Sequence, residues 1–169
     1  VVVRNEPATQ KFIEQKKKTA AYLGVDFRMY DFDEKISTNE LRKRLAEIVH
    51  EAKNTGVIIQ LPLPAHINTQ YILNAVPPEK DVDVLSAKAL GNFYTGKSDI
   101  LPPVVGAVKK FFREYGIEYR GKNIVVIGAG RLVGKPVAAW LTNEGAAVSV
   151  VNEYTKDIGE FTKKADIIV

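Results

Sequence analysis

The sequence contains no cysteine, and histidine, methionine and tryptophan are scarce among its 169 residues. Without cysteine, a disulfide, a cysteine-ligated zinc ion and a thiol nucleophile are all excluded. The two histidines, His50 and His66, are too few for an ordinary histidine metal site, and we interpret both as structural or solvated. We therefore predict no metal site.

Long apolar runs and a strong charge of either sign are also missing. No run approaches the roughly 18 residues of a membrane span, and no signal-peptide pattern is present, so we expect no membrane contact. The 24 basic and 20 acidic residues give a net charge of +4. That charge mildly favours small anionic ligands such as nucleotides and is too weak to indicate nucleic-acid binding.

Both ends of the chain are apolar, which is unusual for natural termini. The chain opens on three valines and closes on Ile167-Ile168-Val169, and its only methionine is Met29. We therefore expect it to be an internal piece of a longer protein, or the ordered part of one.

Short strand-like runs alternate with helical stretches along the whole chain, which predicts an α/β fold with parallel sheets. The predicted strands are residues 1–3, 25–30, 57–61, 123–127, 147–151 and 167–169. The predicted helices are residues 7–23, a helix capped by Thr38, and residues 68–76, 104–115, 132–143 and 157–164. Residues 77–103 are expected to form a long irregular loop. We predict a first domain over 1–101, a connecting helix and linker over 102–119, and a Rossmann-like domain over 120–169.

A glycine-rich loop joins one predicted strand to the next helix. It consists of Gly128, Ala129, Gly130, Arg131, Leu132, Val133 and Gly134. Without Cβ atoms at 128 and 130, the backbone can approach a pyrophosphate that rests on the helix N-terminus, and Gly134 lets helix and strand pack closely. The alternative is a tight turn without a ligand. We favour a dinucleotide site.

Glu153 follows the next predicted strand, 153 − 130 = 23 residues after Gly130. An acid at this point of a dinucleotide fold hydrogen-bonds a ribose 2′-hydroxyl and would repel a 2′-phosphate. Such an acid therefore favours a nucleotide without a 2′-phosphate. Arg131 has the opposite effect, because its positive charge could reach a phosphate, and Glu153 could also be an ordinary exposed acid. The pattern favours NAD over NADP.

The first half of the chain offers a second set of polar candidates. Thr9, Phe12 and Lys16 lie on one stripe of the predicted first helix, with Phe12 and Lys16 about one turn, roughly 6 Å, apart. An aromatic ring beside an amine could hold a flat ligand, although Lys16 also begins a run of three lysines typical of a solvated face. Gln60 ends a predicted strand, where α/β sheets place ligand sites.

Two acids in the predicted long loop are further candidates. One of Asp81 and Asp83 could cap a backbone turn or pair with Lys80, and the other could receive the polar edge of a ligand. The sequence does not decide which acid takes which role.

Four sequence strings occur together in a characteristic order. They are Pro7-Ala8-Thr9-Gln10, Gln60-Leu61-Pro62-Leu63-Pro64, Pro78-Glu79-Lys80-Asp81-Val82-Asp83 and Val133-Gly134-Lys135-Pro136. With them the chain resembles, over essentially all of its length, the bifunctional methylenetetrahydrofolate dehydrogenase/cyclohydrolase family. The resemblance implies a folate-binding α/β domain followed by a Rossmann domain, in a cytoplasmic homodimer. It also implies oxidation of 5,10-methylenetetrahydrofolate with NAD or NADP, followed by hydrolysis to 10-formyltetrahydrofolate.

The resemblance assigns roles to individual residues. Lys16 would be the catalytic lysine, Gln60 would hydrogen-bond it and set its protonation, and Asp83 would anchor the pterin ring. Thr9, Phe12 and Pro62 would contact the folate substrate.

The chain departs from the family pattern at several positions. The family usually has Tyr at Phe12, Ser at Thr9, Gly at Val84 and Pro-Cys-Thr-Pro at residues 102–105. It often has Gly-Arg-Ser at 128–130 and His-Ser-Arg at 152–154, where a 2′-phosphate is commonly met, so their loss agrees with NAD. Two alternatives are another two-domain dehydrogenase, of shikimate or amino acid type, and a non-catalytic module that binds folate or nucleotide.

Overall fold

The computed structural model describes residues 1–3 and 7–169 and confirms a mixed α/β architecture with a parallel sheet. The helices of this part of the chain are α1 (Pro7–Tyr22), α2 (Thr38–His50), α3 (Thr69–Leu73), α4 (Ala87–Tyr94), α5 (Pro103–Glu114), α6 (Gly134–Asn143) and α7 (Gly159–Thr162). The strands are β1 (Asn123–Ile127), β2 (Ala147–Val151) and β3 (Ile167–Ile168). No helix within these residues is long and apolar enough to cross a membrane.

The chain folds into two compact units. The first contains Val1–Asp81 and Leu85–Lys88, and the second contains Val82–Val84 and Ala89–Val169. This division falls earlier than the boundary we predict near residue 101. Helix α5, predicted as a connector, belongs to the second unit because its buried residues lie in that unit's core, namely Val105 and Phe112.

The strands predicted in the first unit are wrong as regular strands. In their place the structure has isolated parallel bridges, one joining Val2 to Asp31 and one joining Val57 to Asp81. The segments concerned are residues 1–3, 25–30 and 57–61. The apolar runs at residues 1–3 and 57–61 reflect burial, and packing in one core with α2 and α3 meets that requirement without a continuous ladder. In residues 25–30, by contrast, Val25 and Met29 are exposed.

The N-cap of helix α2 lies one residue before the predicted one, so the helix itself begins at Thr38. The Ser37 hydroxyl oxygen accepts a hydrogen bond from the Glu40 amide at 3.2 Å, so Ser37 and not Thr38 is the N-cap. The Thr38 hydroxyl oxygen accepts the Asn68 amide at 3.1 Å and so connects the starts of α2 and α3. The apolar face of α2 is buried as predicted, through Leu41, Leu45, Ile48 and Val49.

Helix α4 interrupts the predicted irregular loop over residues 77–103. Its buried residues are Ala89 and Phe93, which lie in the core of the second unit. The helix was not predicted from the sequence because it is only eight residues long and contains a glycine, Gly91, which lowers helix propensity.

The second unit is built on a parallel sheet with the strand order β2-β1-β3. Strands β1 and β2 have the predicted bounds and pair from Asn123 opposite Ala147 to Ile127 opposite Val151. Helix α6 begins at Gly134 instead of the predicted residue 132, because 131–133 form a turn. Helix α7 spans four residues instead of the predicted eight.

Three aromatic side chains pack together in the core of the second unit. The indole ring of Trp140 lies 6.0 Å from the Phe112 ring and 5.2 Å from the Tyr119 ring, measured between centroids. Trp140 is 3% exposed, and its Nε1 donates to the Glu144 carboxylate at 3.2 Å. Burial, followed by the negative charge of Glu144, raises the pKa of the Tyr119 hydroxyl.

Candidate functional site

Helix α1 presents the predicted stripe of polar and aromatic side chains. Ile13 and Ala20 are buried and fix which face of the helix turns inward, and Lys16 lies between them on that side. Lys16 is half-buried, whereas Lys17 and Lys18 are exposed, so the lysine run divides into one inward residue and two solvated ones.

The Lys16 amine contacts an aromatic ring on its own helix. Its Nζ lies 5.1 Å from the centroid of the Phe12 ring, a distance at which cation and ring face attract. Phe12 is 60% exposed, so its ring is accessible to a ligand, and Thr9 is half-buried one turn earlier. The stripe predicted from spacing is therefore present in the structure.

Gln60 meets Lys16 across 44 residues of sequence. The Lys16 Nζ donates to the Gln60 Oε1 at 3.3 Å, and the Gln60 Nε2 donates to the Leu61 carbonyl at 2.9 Å. Both ends of the carboxamide are used, so its oxygen faces the amine. The contact expected between these two side chains is present.

Backbone contacts at the start of the chain hold Gln60 in place. The Gln60 amide donates to the Val1 carbonyl at 2.9 Å, and the Val1 amino group donates to the Ile58 carbonyl at 2.8 Å. Sequence analysis missed this positioning role, since a contact made through the backbone of Val1 leaves no residue-type signal. Next to Gln60, the Leu61–Pro62 peptide bond is cis, and Pro62 is exposed.

The two loop acids have different environments. Asp81 is 4% exposed, and its Oδ2 accepts the amides of Leu85 at 3.0 Å and Ser86 at 2.7 Å. It therefore closes the backbone turn over residues 81–86. Asp83, inside that turn, is half-buried and remains the candidate for ligand binding.

Lys80 has a structural role. Its Nζ donates to the Val49 carbonyl at 2.6 Å and to the Glu51 carbonyl at 3.4 Å, which satisfies carbonyls at the end of α2.

Val84, the residue after Asp83, has an unusual backbone conformation. Its φ is +54°, in the left-handed region that favours glycine, and its side chain is 1% exposed. The usual glycine of the family is thus replaced by valine while the backbone keeps a conformation typical of glycine.

The glycine loop connects β1 to α6 through a tight turn. Gly128 has a φ of +106°, and its amide donates to the Val151 carbonyl at 2.7 Å. Gly134 is buried, and a Cβ on it would overlap the Gly128 carbonyl oxygen and lie 2.7 Å from the carbonyl carbon. Glycine at 134 therefore permits the close approach of α6 to the loop, as predicted.

Gly130 requires a different explanation. Its φ lies outside the left-handed region, and a Cβ on it would meet nothing within 4 Å among the described residues. Neither backbone nor packing calls for glycine there, whereas a ligand that approaches the loop closely does. The sheet order reverses at β1, so this loop also lies at the switch point where α/β sheets bind ligands. The loop fits a dinucleotide diphosphate.

Glu153 lies in a turn that follows β2. The Asn152 Oδ1 accepts the Tyr154 amide at 3.0 Å, and the Thr155 amide donates to the Asn152 carbonyl at 3.0 Å. Glu153 is exposed. Because Val151 at the end of β2 bonds Gly128, the turn and the glycine loop share one edge of the sheet.

Both histidines make structural contacts, in agreement with the prediction. The Nδ1 of His50 is 2.7 Å from the Ala46 carbonyl oxygen, and the Nε2 of His66 is 3.1 Å from that of Ile36. Over residues 1–3 and 7–169, no group of three or more histidine, aspartate or glutamate residues is placed to hold a metal ion.

Two family domains match the chain. Residues 1–83 match the catalytic domain of tetrahydrofolate dehydrogenase/cyclohydrolase, and residues 102–169 match the NAD(P)-binding domain of the same family. Together the two matches cover the residues proposed above for substrate and for nucleotide.

Individual relatives agree with these matches. The chain is 34% identical to the bifunctional protein FolD of Ligilactobacillus salivarius and 38% identical to that of Aliarcobacter butzleri, in both cases over all 169 residues and 59% of the relative. The chain therefore spans about three fifths of the length of these relatives.

Solved structures show the same similarity. The bifunctional FolD enzyme of Campylobacter jejuni superposes with a TM-score of 0.95 at 36% identity, over 99% of this chain and 60% of that one. The dehydrogenase-cyclohydrolase of Trypanosoma brucei, solved with NADP and an inhibitor, gives a TM-score of 0.91 at 31% identity, over 99% of this chain and 58% of that one.

Proposed function

The chain belongs to the tetrahydrofolate dehydrogenase/cyclohydrolase family, and we propose that its protein oxidises 5,10-methylenetetrahydrofolate and then hydrolyses the product to 10-formyltetrahydrofolate. The observation that carries this proposal is the hydrogen bond of 3.3 Å between the Lys16 amine and the Gln60 carboxamide oxygen, beside the exposed ring of Phe12. It places a proton-handling group next to a surface that a flat ring can cover.

In the oxidation, a C–H bond of the one-carbon bridge breaks with both of its electrons, and a folate nitrogen lone pair forms the new C=N bond. The nicotinamide nucleotide, when bound, supplies the acceptor of that hydride. The product carries a positive charge next to the Lys16 amine. Gln60 stabilises the amine in place by accepting its hydrogen bond, and Phe12 offers its ring face to the folate.

In the hydrolysis, the oxygen of water bonds to the methenyl carbon while Lys16 accepts the water proton. The bond between that carbon and N5 then breaks, N5 takes up a proton, and the formyl group stays on N10. The overall step consumes one water and releases one proton. Phe12 has no hydroxyl to add to this proton transfer, so Lys16 carries it.

Three further residues are proposed to bind the substrate. Asp83 is proposed to anchor the pterin, because a carboxylate can accept two hydrogen bonds from the amino group and ring N–H. Thr9 on α1 and the exposed Pro62 are proposed to contact the folate. These roles come from the positions that match the family strings.

For the nucleotide we propose NAD in preference to NADP. The glycine loop would receive the diphosphate, and the exposed carboxylate of Glu153 at the same sheet edge would accept a hydrogen bond from the ribose 2′-hydroxyl. A 2′-phosphate would meet charge repulsion there. Arg131 is the one loop residue whose charge would favour a phosphate.

We also propose that the protein acts as a cytoplasmic homodimer. The support for this is the family resemblance, and sedimentation of the purified protein would test the oligomeric state. A monomer under assay conditions would contradict it.

The test of the proposed chemistry is Lys16→Met, which removes the amine and retains an unbranched side chain. We expect both activities to be lost while tetrahydrofolate binding stays measurable by calorimetry. The matched control is Lys17→Met, whose amine is exposed, and which should keep both activities. Full turnover by Lys16→Met would remove lysine from the mechanism. Binding of folate and nucleotide without turnover in the unaltered protein would instead identify a non-catalytic module.

A further inference from the structure

Val84 combines two properties that conflict for a β-branched residue. Its side chain is 1% exposed, as befits a core valine, yet its φ of +54° lies in the left-handed region. In that region the Cβ of an L-residue approaches a neighbouring carbonyl oxygen, so branched side chains rarely adopt it. The conformation therefore persists only if its surroundings enforce it.

Two sets of contacts fix the backbone around Val84. The Asp81 carboxylate accepts the amides of Leu85 and Ser86, which sets the path of the chain directly after Val84. The Val84 side chain is buried in the hydrophobic core that contains Ala89 and Phe93. The turn over residues 81–86 is thus held by a buried carboxylate and by a buried side chain.

Asp83 lies in this turn directly before Val84 and is half-buried. Strained backbone conformations concentrate at functional sites, where the surrounding structure sets a nearby group in its working geometry. Because Val84 directly follows Asp83, its fixed φ sets the orientation of the peptide group that joins them. From this we infer that Val84 is a positioning residue, which holds Asp83 for the pterin of the folate. The inference rests on the proposed function, in which Asp83 contacts the folate.

The competing explanation is that Val84 only fills the core. It predicts that shortening Val84 acts like shortening any other valine of the same cluster. Val137 supplies that comparison, since it is 0% exposed in the same core and lies in α6, far along the chain from Asp83.

The experiment measures tetrahydrofolate binding by calorimetry, together with the KM of each substrate and kcat. The variants are Val84→Gly, which permits the left-handed φ but loses the buried side chain, Val84→Ala and Val137→Ala. We expect Val84→Ala, which can leave the left-handed region, to raise the Kd and the KM for folate about tenfold, the scale of one weakened charge-assisted hydrogen bond. Val84→Gly, which keeps that region accessible and restores the residue usual in the family, should leave both constants near those of the unaltered protein. The nucleotide KM should not change. Val137→Ala should lower thermal stability and leave the folate Kd unchanged.

A double-mutant cycle tests whether Val84 acts through Asp83. We expect Val84→Ala to weaken folate binding in the unaltered protein and to add no further loss in the Asp83→Asn background. Equal losses of binding in both backgrounds, a folate Kd that does not change in Val84→Ala, or a loss in Val84→Gly as large as that in Val84→Ala, would overturn the inference. If the unaltered protein did not bind tetrahydrofolate at all, the proposed function itself would fail, and the two failures are therefore distinguishable.

Discussion

Replacement of Gly134 by alanine tests the nucleotide loop most directly. A Cβ at this position would overlap the Gly128 carbonyl oxygen and lie 3.3 Å from the Ala129 Cα. These neighbours are backbone atoms, so no flexible side chain can move aside, and α6 must separate from the loop. Overpacking of this kind costs about 1–3 kcal/mol. For a chain of this size, that corresponds to a fall of roughly 2–12 °C in Tm.

The same displacement should impair nucleotide binding. The loop backbone and the start of α6 would both move, so we expect the KM for NAD to rise about tenfold or more, a loss of at least ~1.4 kcal/mol. Tetrahydrofolate binding, which is proposed to use residues of α1 and the segments around Gln60 and Asp83, should not change. Calorimetric unfolding and steady-state kinetics on the same preparations measure both effects.

Two further glycines separate stability from binding. In Gly130→Ala the new Cβ meets no atom of residues 1–3 or 7–169 within 4 Å, so Tm should hold while the KM for NAD rises, because the methyl group obstructs the diphosphate. In Gly106→Ala, within α5, the Cβ is also unobstructed, and the free energy of unfolding should rise by about 0.5–1 kcal/mol with kinetics unchanged. An unchanged KM for NAD in both Gly130→Ala and Gly134→Ala would refute the assignment of this loop to the nucleotide.

Two other predictions concern the second unit. Glu153→Ala should raise the KM for NAD about tenfold, because the charge-assisted hydrogen bond to the ribose is lost. It should also reduce the preference of the enzyme for NAD over NADP, because the repulsion of the 2′-phosphate is lost. Glu160→Ala, which removes another exposed acid, should change neither the KM for NAD nor this preference. Burial and the Glu144 carboxylate raise the pKa of Tyr119 above its unfolded value of about 10. The stability that the neutral phenol contributes is therefore present below about pH 10 and is lost as the pH rises through the folded-state pKa. Urea unfolding at increasing alkaline pH should show a shallower loss for Tyr119→Phe, and equal slopes would contradict the assignment.

The sheet of the second unit could be predicted from the sequence because the apolar runs, the β-branched residues and the glycines at the turns all indicate strands at the same positions. Strands β1 and β2 are short runs rich in valine and isoleucine, and Gly128 and Gly145 mark turns next to them. The β-branched side chains favour a strand in both runs, and the interior of β1 is buried. The bounds of both strands were therefore predictable to the residue.

In the first unit, burial and strand formation do not coincide. The run over residues 57–61 is as apolar as a buried strand, and Val57 and Ile59 are indeed buried. However, a strand also needs a second segment to pair with, and that segment lies far away in the sequence. An apolar run does not reveal how many backbone hydrogen bonds such a segment can form with it. Burial was thus predictable there, and the strand was not.

The candidate site divides in the same way. Stripe spacing on α1 could place Phe12 beside Lys16, since both lie on one helix. The contact of Lys16 with Gln60, 44 residues away, was expected from the family resemblance and not from spacing. Spacing alone could not separate Asp81 from Asp83, because both acids sit in one short string, and only the family resemblance assigned the pterin to Asp83. The structure shows that the buried Asp81 closes the backbone turn.

The position of Trp140 has a practical consequence. It is the only tryptophan of the sequence, and it lies in the core of the second unit. Indole emission will therefore report the environment of that unit, while the first unit contributes only tyrosine signals. Comparison of the emission spectrum with far-ultraviolet circular dichroism during unfolding can thus show whether the two units melt together or in sequence.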